Sequence, residues 1–247
     1  MERLDSLTKS AKSSAEKRQE LSQEEQHLSD LETLLSLLAA IGNDRMSELT
    51  AEMQDTRLKL EASGHAYEAV MQGLTFLLPH LTESLLQYPT VSEPYFELLS
   101  DVVRSRPEKF AALPVAVRDA FLQALLVAVG EARDTVSRPA MRCVESIALY
   151  HTRALEADKS SGDPPSPLDN TRVRAFTVRL FELVLFQSVD ESLVESVADA
   201  LLPLIVRNTD QYQEAVKVLV ENWAKNVKSA SAEQGQRLMV GFRDLVM

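Results

Sequence analysis

The sequence predicts an all-α fold, and three observations support that prediction. Only 7 of the 247 residues are glycine, which is few for the turns of a sheet-rich protein, and no segment alternates regularly between apolar and polar residues. The stretch from Leu74 to Pro114 holds two apolar helical patterns, Ala66 to Leu78 and Tyr95 to Val103, with prolines at their ends. The chain downstream repeats this helix–turn–helix unit. We therefore predict an α-solenoid of HEAT-type antiparallel helix pairs.

The organisation along the chain follows from local composition. Residues 1–24 are polar and hold too few leucines for a buried face, so a frayed or surface helix is expected there. Residues 25–247 form the predicted HEAT-like solenoid. Within it, paired prolines with Ser, Gly and Asp over 157–169 predict an exposed loop.

The first predicted helix is marked by leucines at helical spacing from Leu28 to Ile41, with Gly42 as a C-terminal stop. Leu37 widens its apolar stripe, so we expect this helix to be covered on more than one side. Residues 43–63 are more highly charged, which predicts only a weak helix within a long connection.

The next two helices lie in the Leu74 to Pro114 stretch. Ser63 is the predicted cap of the first of them, Ala66 to Leu78. Its partner is expected to begin near Pro94, because proline suits a first helical position. Tyr95 and Phe96 point to different sides of that partner, so one of them should reach an adjacent repeat as packing.

The downstream helices are predicted from the same apolar spacing. First-helix starts near 66, 115, 172 and 210 lie about 49, 57 and 38 residues apart, which brackets a HEAT-type period. Asp190, Asp210 and Ser231 are the predicted caps of three of these helices. The predicted spans are Val115 to Val129 (ended by Gly130), about 137–156 (with Pro139 near its start), Val173 to Gln187, Glu191 to Arg207, Gln211 to Lys225 and Ala232 to Val246.

The acidic composition limits the classes of partner. The formal net charge is -11, and a surface of this sign repels phosphate, so neither nucleic acid nor membrane is an expected partner. Basic proteins suit it better, although acidity also serves solubility alone. No apolar run is long enough for a membrane span, and no apolar signal core is present. With a single cysteine, Cys143, the composition predicts a reducing, nucleocytoplasmic environment.

The residues that could carry chemistry do not form a recognisable site. His27 is near acidic residues on a polar segment, which does not fix metal ligands, and His65 and His80 have no base or nucleophile partner at useful spacing. His151 comes late in a helix, where a cationic imidazole would suit the C-terminal dipole. Cys143 lies in an apolar pattern and is expected to be a packed small side chain.

Known catalytic motifs are likewise missing from the sequence. There is no Gly-rich phosphate loop, no G-x-S-x-G, no H-E-x-x-H and no paired-cysteine motif, and the Asp190-Glu191 pair is typical of a helix start. Trp223 shares an apolar stripe and is expected in a core. We therefore predict neither an enzyme nor a bound cofactor or metal.

Beyond helical pattern, the stretch from Ala66 to Pro114 carries specific features: Gly73, Leu77-Leu78-Pro79, Leu85-Leu86, Pro89, Tyr95-Phe96 with Leu98, Pro107-Glu108-Lys109 and Leu113-Pro114. In this order and spacing it resembles the C-terminal region of exportin-4-type receptors, in the importin-β superfamily of nuclear transport receptors. The related exportin-7 class stays open as an alternative. The Asp30 to Leu38 stretch looks like the preceding repeat, and the helices to Met247 are similar to the family in length and layout.

The resemblance implies a receptor whose stacked helix pairs wrap protein cargo together with the GTP-bound form of Ran, without catalysis. Translation initiation factor 5A is a cargo of the family, and transit through nuclear pore proteins implies shuttling between nucleus and cytoplasm. A full exportin is several times longer, and its principal Ran contacts usually lie in N-terminal repeats. The chain accordingly looks like the C-terminal arch of such a receptor, and no Ran-binding or cargo-binding residue is carried over.

Two other classes of function stay open at this point. A generic helical scaffold or adaptor would bind the helix or tail of another protein through the same kind of repeat. An enzyme would require a convergent polar pocket, which the sequence does not indicate.

Overall fold

The computed structural model describes residues 25–42, 56–80, 86–131, 133–157, 167–186, 190–206 and 208–226, and the side chains of 56–63, 155–157, 186 and 222–226 lie outside this description. Over the described ranges the chain is helical and contains no strand, which confirms the predicted all-α class. The predictions for 1–24, for a helix at 232–246 and for Ser231 as its cap lie outside the described residues.

The chain divides into two compact units, Met1–Tyr95 and Phe96–Met247, which are described separately. Helix α3 begins in the first unit and ends in the second. The helices, in chain order, are α1 at 25–42, α2 at Thr56–Leu77, α3 at Pro89–Ser105, α4 at Pro107–Ala111, α5 at Val115–Val129, α6 at Asp134–Ala157, α7 at Asn170–Phe186, α8 at Glu191–Val206 and α9 at Thr209–Asn226.

Helix α1 of the first unit buries a single apolar stripe. Leu31, Leu35 and Leu38 are buried at the spacing expected for one helix face. Leu34 and Leu37, in contrast, are 40% and 57% exposed. Leu37, which widens the stripe, is thus exposed, contrary to the expectation that this helix is covered on more than one side.

Helix α2 is longer than its apolar pattern predicts. It begins at Thr56, so Ser63 and Gly64 lie inside the helix and Ser63 is not its cap. One interior glycine costs about 1 kcal/mol relative to alanine, which packing elsewhere can offset. Gly73 has a packing role, since a Cβ there would lie 2.5 Å from Cδ2 of Leu38. The absence of that carbon lets α1 and α2 approach closely.

Three helices carry a proline beyond their first turn. Helix α3 begins at Pro89 rather than at Pro94, and α6 begins at Asp134, so that Pro94 and Pro139 both lie inside helices. Pro203 lies inside α8. Helices α5, α7 and α9 contain no proline.

Aspartates cap two helices of the second unit. The backbone N–H of Leu193 donates to Asp190 Oδ1 at 2.7 Å, which confirms Asp190 as the cap of α8. The N–H of Arg172 donates to Asp169 Oδ1 in the same way at 2.7 Å, so Asp169 caps α7, which was not predicted from the sequence. The predicted cap Asp210 lies inside α9 instead, because that helix already begins at Thr209.

The region predicted as an exposed loop is only partly described. Ala157 is the last residue of α6, and residues 158–166 lie outside the described ranges. Pro167 and Leu168 are buried, Leu168 at 4% exposure, so the end of the predicted loop differs from the expectation. The apolar side chain of Leu168 packs inward, and the next residue, Asp169, is the cap of α7.

Packing in the second unit follows a regular order. Consecutive helices pack against each other in the pairs α5–α6, α7–α8 and α8–α9, and alternate helices pack in the pairs α5–α7, α7–α9, α4–α6 and α6–α8. Alternate helices therefore form two rows: the first row is α5, α7 and α9, and the second row is α6 and α8. The buried side chains of these helices include Phe110, Phe121, Leu125, Met141, Phe176 and Leu180.

Candidate interaction surface

The histidines and the cysteine do not assemble into a reactive site. His27, His65 and His80 are exposed, whereas His151 is 4% exposed and Cys143 is fully buried. Burial raises the pKa of the Cys143 thiol, so this cysteine is the packed small side chain that its apolar neighbours predict. Within the described ranges, no group of His, Cys, Asp or Glu side chains is positioned to hold a metal ion.

His151 instead joins α6 to the link between α8 and α9. Burial lowers the pKa of its imidazole, although a side-chain hydrogen bond with Asn208 acts in the opposite direction. The neighbouring Thr152 hydroxyl donates to the Ala148 carbonyl of its own helix at 2.9 Å and also lies 3.3 Å from the Pro203 carbonyl of α8. The expectation of a cationic imidazole at the end of a helix is therefore wrong, because this side chain turns into the interior.

Two arginines on α6 connect it to the helices on either side. Arg142 Nη2 donates to both Glu97 carboxylate oxygens of α3, at 2.7 and 2.8 Å. Arg138 Nη2 donates to Asp134 at 2.8 Å and to Asp190, the cap of α8, at 3.2 Å. Since the two arginines are four residues apart, they share one face of α6. From that face Arg142 contacts α3 and Arg138 contacts the cap of α8.

Charge consequently alternates across this face, from acidic α3 through basic α6 to acidic α8. Partial burial, followed by the charge of Glu97, raises the pKa of Asp101 on α3. At the other edge, hydrogen bonds from the Leu193 backbone and the Ser192 hydroxyl lower the pKa of Asp190. Exposed ion pairs of this kind add little stability, so apolar packing rather than these pairs holds the helices together.

Arginines also join α7 to α5 in the first row. Arg172 donates to the Gln123 side chain at 2.9 Å, and Arg179 donates to the Gly130 carbonyl at 3.4 Å while pairing with Glu182 at 3.5 Å. A Cβ on Gly130 would overlap the Arg179 guanidinium. A side chain at this position would displace the end of the flexible Arg179 side chain, whose cation suits the C-terminal end of the α5 dipole.

An exposed apolar ridge runs along α8. Val194, Leu202 and Val206 are 40%, 65% and 58% exposed, and Ala198 between them is also exposed. These four residues are spaced by four, so they form one ridge on the helix surface; we refer to them as the α8 ridge. Helix α8 is thus apolar on its outer side as well as on the side that faces the core.

Helix α8 was predicted from its apolar spacing, but the α8 ridge was not. A usable signal was present, because α8 has apolar residues on nearly every side, whereas a surface helix usually has one apolar stripe. Tyr95 and Phe96, expected to point to different sides of α3, are both buried. The side chain of Trp223 lies outside the described part of the chain.

No protein-family model matches the chain, and no solved structure matches it. The likeness of residues 66–114 to a family of transport receptors is therefore neither supported nor contradicted by these comparisons. Of the residues that carry this likeness, Leu77, Tyr95, Phe96 and Leu98 are buried, which assigns them to packing. In the described ranges, no helix combines the length and apolarity that crossing a membrane requires.

Proposed function

We propose that this chain is the C-terminal helical-repeat portion of an exportin-like nuclear transport receptor, which binds protein cargo together with Ran-GTP for nuclear export. In this proposal its helices form a HEAT-type α-solenoid that acts without catalysis or a cofactor. It shuttles between nucleus and cytoplasm through contacts with nuclear pore proteins. Translation initiation factor 5A is the proposed cargo, on the strength of the family resemblance.

The observation that carries the proposal is the packing order of the second unit. In a solenoid, each helix pair contacts the pairs before and after it, so alternate helices pack in two rows. The α5–α7–α9 and α6–α8 contacts have this order. Repeats of this kind present extended surfaces that suit protein partners, which agrees with the receptor reading of residues 66–114.

The surface charge adds a second line of support. A formal net charge of -11 suits basic protein partners and disfavours nucleic acid. The described residues also offer two kinds of surface suited to proteins: the alternating charges around Arg138 and Arg142, and the α8 ridge.

A pull-down with purified Ran tests the proposal directly. The full chain is immobilised and incubated with Ran locked in the GTP state or loaded with GDP, in each case with and without translation initiation factor 5A. Retention that requires GTP and increases with the cargo is expected, because family members bind the two ligands together. Beads that carry the tag alone are the control.

Equal retention of the two nucleotide states, or no retention of either, would count against receptor activity in this chain. Sequencing the transcript upstream of Met1 provides a second check. An open reading frame that continues into further helical repeats supports the receptor proposal. A genuine start at Met1 favours the second candidate, a helical scaffold or adaptor, for which the exposed α8 ridge is the specific observation.

A further inference from the structure

The α8 ridge has the dimensions of a helix-binding surface. From Val194 to Val206 it extends about 18 Å, at 1.5 Å per residue. Leu202, the third of its four residues, is 65% exposed. A row of side chains four residues apart packs best into the groove between two such rows on another helix. The geometry therefore favours an α-helix of about 12 residues as the occupant.

A row of carboxylates runs beside the ridge. Glu191, Glu195 and Asp199 are exposed and are also spaced by four, and two of them directly follow the ridge residues Val194 and Ala198 in sequence. No salt bridge within the described ranges involves these three carboxylates. A helix lying on the ridge would bring its own flank against this row, where arginine or lysine is stabilised and a further carboxylate is repelled.

The chain already combines charge pairing with apolar packing where α6 meets its neighbours α8 and α3. Helix α6 packs on α8 with the Thr152 hydroxyl against the Pro203 carbonyl and Arg138 against Asp190. Arg142, also on α6, pairs with Glu97 of α3. In both contacts an arginine of α6 meets a carboxylate of its neighbour, beside apolar packing. The outer side of α8 likewise carries carboxylates beside apolar residues, and a partner helix would supply the arginines.

We propose that the α8 ridge and its carboxylate row bind an amphipathic helix of a partner protein, with apolar residues at every fourth position and basic residues beside them. A second copy of this chain suits the surface less well, because each copy has a net charge of -11 and would present the same carboxylates. The proposal deepens the proposed function, on which it rests for the premise that the chain binds proteins.

The test uses the full chain and a fluorescein-labelled synthetic helical peptide of about 14 residues, with leucine at every fourth position and arginine beside each leucine. A matched peptide carries glutamate in place of arginine. Fluorescence anisotropy is expected to show saturable binding of the arginine peptide, weakened by salt, and little binding of the glutamate peptide.

Matched variants locate the binding site on the chain. Leu202→Asp is expected to raise Kd by about tenfold or more, whereas Leu185→Asp, on an exposed leucine of α7, should change it by less than about twofold. Glu195→Lys should raise Kd and weaken its salt dependence, whereas Glu221→Lys on α9 should not. Circular dichroism checks that each variant is folded, and Val206→Asp replaces Leu202→Asp if the latter is not.

Several results would overturn the inference. Equal effects of the ridge variants and their controls would show non-specific attraction of a cationic peptide. A dimer of the full chain that Leu202→Asp converts to a monomer would identify a second copy as the occupant. Phe242 belongs to the helix predicted at 232–246. Peptide binding that appears only after Phe242→Asp would identify that predicted helix as the occupant of the ridge.

The outcome is separable from that of the Ran experiment. If Ran is retained in a GTP-dependent manner but the peptide does not bind, this inference fails and the proposed function stands. If the peptide binds at the ridge and Ran is not retained, the proposed function fails and the ridge is a binding surface of an adaptor.

Discussion

Replacing Leu125 of α5 by alanine should destabilise the second unit severely, whereas the same replacement of Leu202 in α8 should not. Leu125 is 0% exposed and Leu202 is 65% exposed. Both changes remove the same side-chain carbons from a helix. At about 0.8 kcal/mol per buried carbon, the transfer term for Leu125 is about 2.4 kcal/mol, and the cavity left behind raises the total to about 3–4 kcal/mol. For Leu202 the covered third is worth about 0.8 kcal/mol, part of which the higher helix propensity of alanine offsets.

Thermal unfolding followed by far-ultraviolet circular dichroism measures the difference. In a chain of this length, 1 kcal/mol shifts Tm by about 2–4 °C, so Leu125→Ala should lower Tm by about 6–16 °C and Leu202→Ala by less than about 3 °C. Both residues belong to the unit Phe96–Met247, so the same transition is compared. Similar shifts for the two variants would refute the assignment of α5 to the core and of the α8 ridge to the surface.

Three further predictions follow from the caps and the buried polar groups. Asp190→Ala should lower the free energy of unfolding by about 0.5–2 kcal/mol, because it removes the cap of α8. Asp210→Ala, inside α9, should change the free energy of unfolding by less than about 0.5 kcal/mol. The urea midpoints of the two variants should therefore differ, and equal midpoints would contradict the prediction. Because the pKa of His151 is lowered in the folded chain, the unfolded chain binds a proton first as pH falls, so stability should decline below about pH 6.5. His151→Gln should flatten that decline in a series of melts, and an unchanged slope would exclude His151 as its source. Cys143 should resist a thiol reagent until the chain unfolds, and rapid labelling of the folded chain would rule out its full burial.

Helix positions were predictable from the sequence where local stop signals and packing agree. Helix α5 has the predicted bounds, Val115–Val129, because Pro114 precedes it and Gly130 follows it. Disagreement arose where a local signal had to compete with packing. Ser63 and Gly64 suggest a helix start, yet α2 continues through them because one glycine weakens a helix without ending it.

The candidate surface was less accessible to prediction, for a physical reason. The α8 ridge has ordinary core residues, and only the arrangement of neighbouring helices decides that they remain exposed. Arg138 and Asp190 are separated by 52 positions, so their contact depends on how α6 lies against α8. The buried environment of His151 has the same origin, since spacing along one helix does not indicate what covers its end.

The uneven distribution of prolines has a consequence for how the second unit folds. Past the first turn, each proline removes one backbone hydrogen bond and costs about 3 kcal/mol or more in an isolated helix, and both α6 and α8 carry one. Helices α5, α7 and α9 have no such interruption. We therefore expect α6 and α8 to depend on tertiary packing more than α5, α7 and α9 do, so that the second row should form after the first.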